Sequence, residues 1–116
     1  MLGPILSTAR LRLRAFGLAD APFIVELLND PDWLRFIGDR NVHSLHDAQR
    51  WLRDGPLAMQ ARYGHSLWAV ERRSNGAVIG MCGLIQREAL DDVDIGYAFL
   101  PEHRGQAYAR EAARAV

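Results

Sequence analysis

The apolar positions of the chain change period several times, and each change marks an element. Thr8 to Ala15, T-A-R-L-R-L-R-A, alternates strictly: Leu11 and Leu13 face one side, Arg10, Arg12 and Arg14 the other. Period two is the mark of a half-buried strand. The segment before it, Met1 to Ser7, is broken by Gly3-Pro4 and reads as a loose lead-in. From Asp20 the spacing turns helical. Asp20 is placed to cap a helix with Pro22 in its first turn, and Phe23, Ile24, Leu27 and Leu28 line one face. Asn29-Asp30-Pro31 reads as its end. A short apolar connection follows, Asp32 to Gly38, holding Trp33 and Phe36. Ser44 and Asp47 then form a loose capping box for a second helix, with Leu45, Ala48, Trp51 and Leu52 on its apolar face. Gly55-Pro56 interrupts it, and Leu57 to Tyr63 continues as a separate helical piece.

Period two returns at Ser66 to Arg73. Ser74-Asn75-Gly76 reads as a hairpin turn, because Asn-Gly tolerates positive φ. Ala77 to Ile85 runs back apolar on both faces, which predicts a central strand. Gly80 and Gly83 inside it point to a bulge or to close backbone approach. Gln86 to Asp92 is a polar connection. Val93 to Leu100 is a last strand, closed by Pro101, which cannot donate to a ladder. A loop, Glu102-His103-Arg104-Gly105-Gln106, leads into helix formers from Ala107 onward.

The predicted order is strand, helix, helix, strand, strand, strand, helix. That is an α+β chain in which helices flank an antiparallel meander. Its 116 residues bound it to one domain, residues 1–116. With 14 basic and 14 acidic residues the net charge is zero, which argues against a dedicated nucleic-acid binder. No apolar run approaches a membrane span. The single cysteine, Cys82, cannot form a disulfide within the chain and suits a reducing cytoplasm. His43 and His46 stand three apart, but nothing in their segment completes a metal site. The arginine row of the first strand either grips phosphates or forms a charged edge that blocks unwanted pairing.

Chemistry concentrates at Asp94 to Glu111, D-I-G-Y-A-F-L-P-E-H-R-G-Q-A-Y-A-R-E. A strand that passes through a Gly-bearing basic loop into a helix is an anion-binding device. The first amides of the helix lack partners within it, and its dipole adds positive charge there. Arg104 would add a charge-assisted contact. The wording resembles motif A of the GNAT superfamily of acyl-CoA-dependent N-acetyltransferases, in the branch of the ribosomal-protein N-terminal acetyltransferases. That family's loop pattern, [Q/R]-x-x-G-x-[G/A], maps onto Arg104, Gly105, Gln106, Ala107, Tyr108 and Ala109, with Ala107 where the family has Gly.

The resemblance implies a GNAT-like mixed sheet, ending here within the motif A helix, so that the C-terminal strands are missing. It implies transfer of an acetyl group from acetyl-CoA to a primary amine, a protein N-terminus or a small molecule, by direct attack. The main chain of Ala98, Phe99 and Leu100 would hold thioester and pantetheine. That of Arg104, Gly105, Gln106, Ala107, Tyr108 and Ala109 would hold pyrophosphate. Asp94 stands where related sequences carry Glu and is the candidate general base. Otherwise it pairs with a strand arginine or faces solvent. Trp33 and Phe36 either line the acceptor cleft or are ordinary core residues. No metal, nucleic acid or membrane is called for. An unpaired edge on the last strand would invite a homodimer or strand exchange. The alternative is a truncated or degenerate GNAT module that binds CoA or a protein partner without catalysis.

Overall fold

The structure is a computed structural model that describes residues 5–87 and 92–116, with the side chains of residues 36, 86–87 and 92–94 outside the description. Five strands form one sheet in chain order: β1 (Leu6–Ser7), β2 (Leu11–Arg14), β3 (Leu67–Arg72), β4 (Val78–Arg87) and β5 (Asp92–Phe99). Each pairs antiparallel with its neighbour. This is the α+β meander read from the sequence, and β4 is interior, between β3 and β5, with both faces covered.

The hairpin between β3 and β4 closes through Gly76, whose φ of 70° no side chain opposes. Gly76 N–H donates to Arg72 O at 2.8 Å, and the Asn75 side chain takes Ala77 N–H at 3.1 Å. In β4, Val70 faces Gly80 while Glu71 faces Val78, so Ile79 is the extra residue of a bulge. The two β4 glycines mark close approach. A Cβ on Gly80 would lie 2.7 Å from Ala98 O, and one on Gly83 would lie 1.9 Å from Ser66 O.

Helices α1 (Ala21–Leu28), α2 (Pro31–Phe36) and α3 (Leu45–Leu52) cover one face, and α4 (Ala58–Tyr63) follows α3, its Gln60 accepting from Trp68 Nε1 at 2.8 Å. Ile24, Leu27, Leu28, Trp33, Leu52, Met81 and Leu100 form the core beneath them. Helix α5 (Tyr108–Ala115) covers the other face, where Leu11, Leu13, Val70, Ile79, Cys82 and Phe99 meet Tyr108 and Ala112. The two faces of β5 therefore lock its end: Phe99 packs toward α5, Leu100 toward α1.

Four local readings are corrected. Leu6–Ser7 is a strand, paired to Leu13 and Arg12, so β2 is interior and its arginines form no edge. Instead Arg14 grips both oxygens of Asp20 at 2.8 Å and Glu71 at 3.0 Å, and Arg10 reaches Glu111 at 2.7 Å. The arginine row is an ion-pair row because carboxylates from three other elements meet it. Asp20 holds the N-cap position of α1, with Pro22 in the first turn, but its side chain makes no capping bond: the carboxylate turns back to Arg14 and to the Gly17 amide. Asp30-Pro31 starts a helix as well as ending one, with Asp30 accepting Trp33 N–H at 3.3 Å. Pro56 does not separate two pieces. The wide turn Arg53–Leu57 carries α3 into α4, and its longer hydrogen-bond period absorbs the missing amide.

Candidate functional site

Antiparallel geometry decides which groups at the end of β5 are available. Leu100 N–H donates to Ile79 O at 3.0 Å and so faces β4. Alternation along the ladder gives Ala98 the same orientation and turns the main-chain groups of Phe99 and Tyr97 away from β4. Of the three residues expected to hold pantetheine, Phe99 presents its main chain outward. Side chains on that strand are also open: Tyr97 is 60% exposed.

After Leu100 a 3-10 turn, Pro101–His103, redirects the chain, and Arg104 N–H closes it on Pro101 O at 3.2 Å. Two left-handed residues then bend the loop, Gly105 at φ 79° and Ala107 at φ 63°. Ala107 is the N-cap of α5, and its carbonyl accepts Glu111 N–H at 3.1 Å. The loop therefore keeps the strained backbone with alanine where the family pattern has glycine. A left-handed alanine costs about 1–2 kcal/mol, while a glycine gives back about 0.4–1 kcal/mol through the unfolded chain. Ala107→Gly is accordingly expected to stabilise the fold by roughly 0.5–1 kcal/mol, raising the melting temperature by a few degrees in a calorimetric scan. An unchanged or lower midpoint would mean that Ala107 is not strained.

The helix behind the loop is held by its own side chains. Glu111 accepts from the Thr8 hydroxyl, from Arg10 N–H at 2.9 Å and from Arg10 Nε at 2.7 Å. Burial alone would raise its pKa, but these donors outweigh burial and hold it below the usual value. Tyr108 is buried, with the Arg10 guanidinium 4.3 Å from its ring centroid and Arg72 Nε donating to its hydroxyl at 3.1 Å. Its side chain packs; only its main chain faces the loop.

A largely apolar cleft of about 360 Å³ opens between α2 and the end of β5, walled by Trp33, Ile37, Ala98, Phe99, His103 and Arg104 among others. Trp33 thus belongs to the core and to the cleft wall at once. Phe36 lies on the same short helix, but its side chain is outside the described residues. So is that of Asp94, whose backbone pairs with Ile85 in β5. It sits four residues before Ala98, about 13 Å along the strand. His103 was not singled out by sequence. It lines the cleft, and both its Nδ1 and Trp33 Nε1 are buried without a partner among the described residues.

Arg104 is placed otherwise than a free phosphate-seeking cation. Its Nε donates to Phe99 O at 3.0 Å, one terminal nitrogen to Asp30 at 2.9 Å and the other to Asp32 at 2.6 Å. Cys82 is buried in the α5-side core, where burial pushes its pKa up to about 11, so it is a protonated thiol at neutral pH and a poor nucleophile. Both His43 nitrogens are engaged, by Asn29 at 3.0 Å and Asp39 at 3.2 Å. Among the described residues no three His, Cys, Asp or Glu side chains cluster as for a metal, and no helix is long and apolar enough to cross a membrane.

The profile of the GNAT acetyltransferase domain matches residues 10–116. The chain belongs to the GNAT acetyltransferase family. The uncharacterised protein YkkB of Bacillus subtilis is 33% identical over 113 residues, 95% of this chain and 64% of that protein. The uncharacterised N-acetyltransferase YoaA of the same organism is 32% identical, over 93% of this chain and 61% of its own length. Among solved structures, an acetyltransferase from Agrobacterium tumefaciens superposes with a TM-score of 0.76 at 26% identity, covering 96% of this chain and 63% of that one. A candidate ribosomal-protein-serine acetyltransferase from Vibrio cholerae shares the fold at a TM-score of 0.73 and 18% identity, covering 94% and 63%. The GNAT chain described here therefore spans just under two thirds of the length of these relatives.

Proposed function

We propose that this chain binds acetyl-CoA and takes part in transfer of its acetyl group to a primary amine, a protein N-terminus or a small molecule, by direct attack in a ternary complex. The observation that carries this reading is the loop between β5 and α5. Gly105 and Ala107 are left-handed at the N-terminus of an eight-residue helix, and successive amides in such a bend make a concave anion cradle. With Arg104 N–H spent on Pro101, the donors a pyrophosphate would meet begin at Gly105 and run through Gln106, Ala107, Tyr108 and Ala109. A side chain on Gly105 would meet nothing within 4 Å, so the cradle is open. The apolar cleft beside it suits the pantetheine arm, with the Phe99 N–H turned away from β4 to meet it, the Phe99 carbonyl being held by Arg104.

Acetyl-CoA supplies the activated acyl group as a thioester. The chain's contribution is to hold that arm in line with the amine, exclude water with Trp33, Ala98 and Phe99, and accept the proton that the amine sheds. Trp33 and Phe36 are assigned to the acceptor wall and Asp94 to the base. A lone buried thiol fits a cytoplasmic setting.

The test is calorimetric titration with acetyl-CoA, checked by melting temperature. A ligand bound by the folded state alone stabilises it by about 2.7 kcal/mol at a hundredfold excess over the dissociation constant. No heat and no shift, from a chain shown to be folded, would sink the cofactor assignment. Binding without turnover of any amine would leave a non-catalytic module. Where turnover is found, activity should rise with pH through the pKa of Asp94, since only the carboxylate accepts a proton. Asp94→Asn should remove that acidic limb from the kcat profile; a limb that survives assigns the base elsewhere.

A further inference from the structure

We propose that Arg104 is a positioning residue, which bolts the α2 wall of the cleft to the end of β5 and sets the shape of the cleft without touching the pyrophosphate. The inference rests on the acetyl-CoA reading above. Three observations carry it.

The first is valence. The guanidinium spends one nitrogen on each of three acceptors, Phe99 O, Asp30 and Asp32. These belong to the last residue of β5, the cap of α2 and the first turn of α2. One side chain thus hydrogen-bonds to both elements at once.

The second is where the bonds lead. The Asp30 oxygen that takes Arg104 at 2.9 Å is also the one that takes Trp33 N–H at 3.3 Å. Arg104 thus fixes the group that starts α2 and places Trp33. At its other end it holds the carbonyl of Phe99, a residue that lines the same cleft. The Asp30 leg is sheltered, its side chain 6% exposed, while Asp32 is 54% exposed. The inner contact is shielded from competing water, and the outer one tightens it.

The third is charge. One guanidinium faces two carboxylates, so the charge of Arg104 is already matched before a phosphate arrives. A side chain meant for the pyrophosphate would have to leave buried Asp30 without its counter-ion, which is unfavourable. The neighbouring backbone amides already supply an anion cradle that needs no such exchange.

The test compares Arg104→Gln and Arg104→Lys with the parent chain. Amide exchange is read over residues 31–37, with residues 67–72 as internal reference. Affinity is read for acetyl-CoA and for S-acetylpantetheine, which has the arm but no pyrophosphate. Both variants are expected to speed exchange in α2 by about tenfold or more, the scale of losing charge-assisted bonds, and to leave β3 unchanged. Lys does not rescue, because one ammonium cannot span three acceptors in that fork geometry. Both ligands should weaken by the same factor. Unchanged exchange in α2, or weakening confined to acetyl-CoA and restored by Lys, overturns the proposal and makes Arg104 a phosphate contact. If the Arg104 variants fail to fold, Asp32→Ala removes the exposed leg alone and must speed α2 in the same direction. A parent chain that binds neither ligand sinks the acetyl-CoA reading, and the exchange result then decides the clamp by itself.

Discussion

Gly83→Ala is expected to lower folding stability by about 3 kcal/mol, the upper end of what forced overpacking costs. The added Cβ would sit 1.9 Å from Ser66 O and 2.8 Å from Leu67 Cα. Both are backbone atoms, and no rotamer change can move them. Ser66 O also accepts Leu84 N–H at 3.1 Å, so a shift large enough to admit the methyl group breaks a bond in the central pairing. Gly96→Ala is the informative control. Its Cβ meets Ile85 Cδ1 at 2.5 Å and Leu67 Cδ2 at 3.3 Å, the ends of flexible side chains, and should cost about 1 kcal/mol. Urea midpoints of the two variants should therefore separate clearly. Equal midpoints would mean that β3 and β4 yield more easily than their spacing implies.

The second large effect lies at Asp20. This carboxylate is only 8% exposed and takes two hydrogen bonds from Arg14 at 2.8 Å and one from Gly17 N–H at 2.8 Å. Burial by itself raises its pKa, but the Arg14 hydrogen bonds, the Gly17 amide and the Arg14 charge together bring it below the ordinary carboxylate value. Asp20→Asn should destabilise the chain by about 2–3 kcal/mol at neutral pH, since it leaves a half-buried guanidinium short of charge. The sign with pH follows from linkage. A carboxylate whose folded pKa lies below its unfolded value of about 3.9 contributes its full stability above that value. The contribution fades as pH falls below 3.9 toward the folded pKa. The gap between parent and Asp20→Asn should thus be widest at pH 7 and should narrow below about pH 4. Denaturation midpoints at both pH values check this, and a gap that stays constant would remove Asp20 ionisation as its source.

The elements that sequence reasoning caught are those whose signal is local. Leu11 and Leu13 against three arginines, Asn75-Gly76, and Ser44 with Asp47 each carry their mechanism within a few residues. Ser44 Oγ does accept Asp47 N–H at 3.1 Å, though Asp47 reaches back to His43 N–H and not to the cap itself. What escaped was ambiguous or non-local. Two residues of β1 are too few to show a period. Asp30-Pro31 satisfies the rules for ending one helix and for starting the next, and here it does both. Asp20 obeys the capping preference, but an arginine six positions earlier outcompetes the amides. At the candidate site, Gly105 to Ala109 could be marked because the family pattern is written in residues, whereas the handling of the loop by Ala107 depends on a φ angle that alanine's identity does not reveal. His103 and the clasp of Arg104 on Asp30 and Asp32 depend on α2 lying close in space, the clasped residues being 74 and 72 positions away in sequence, which no window along the chain contains.

The Glu111 contacts join positions 101 and 103 apart in the chain. Closing a segment that long costs about 2 kcal/mol more in chain entropy than closing ten residues. Neighbouring strands such as β3 and β4 meet through short turns and avoid that cost. Helix α5 packs on β4 and β5 through the short loop that precedes it, and its ties to Thr8 and Arg10 are the part of its docking that carries this cost. The cradle at Gly105 hangs from that helix. Its readiness for an anion is thus tied to the grip of Thr8 and Arg10 on Glu111, and loosening Thr8 or Arg10 should be felt as faster amide exchange in α5 while the sheet stays closed.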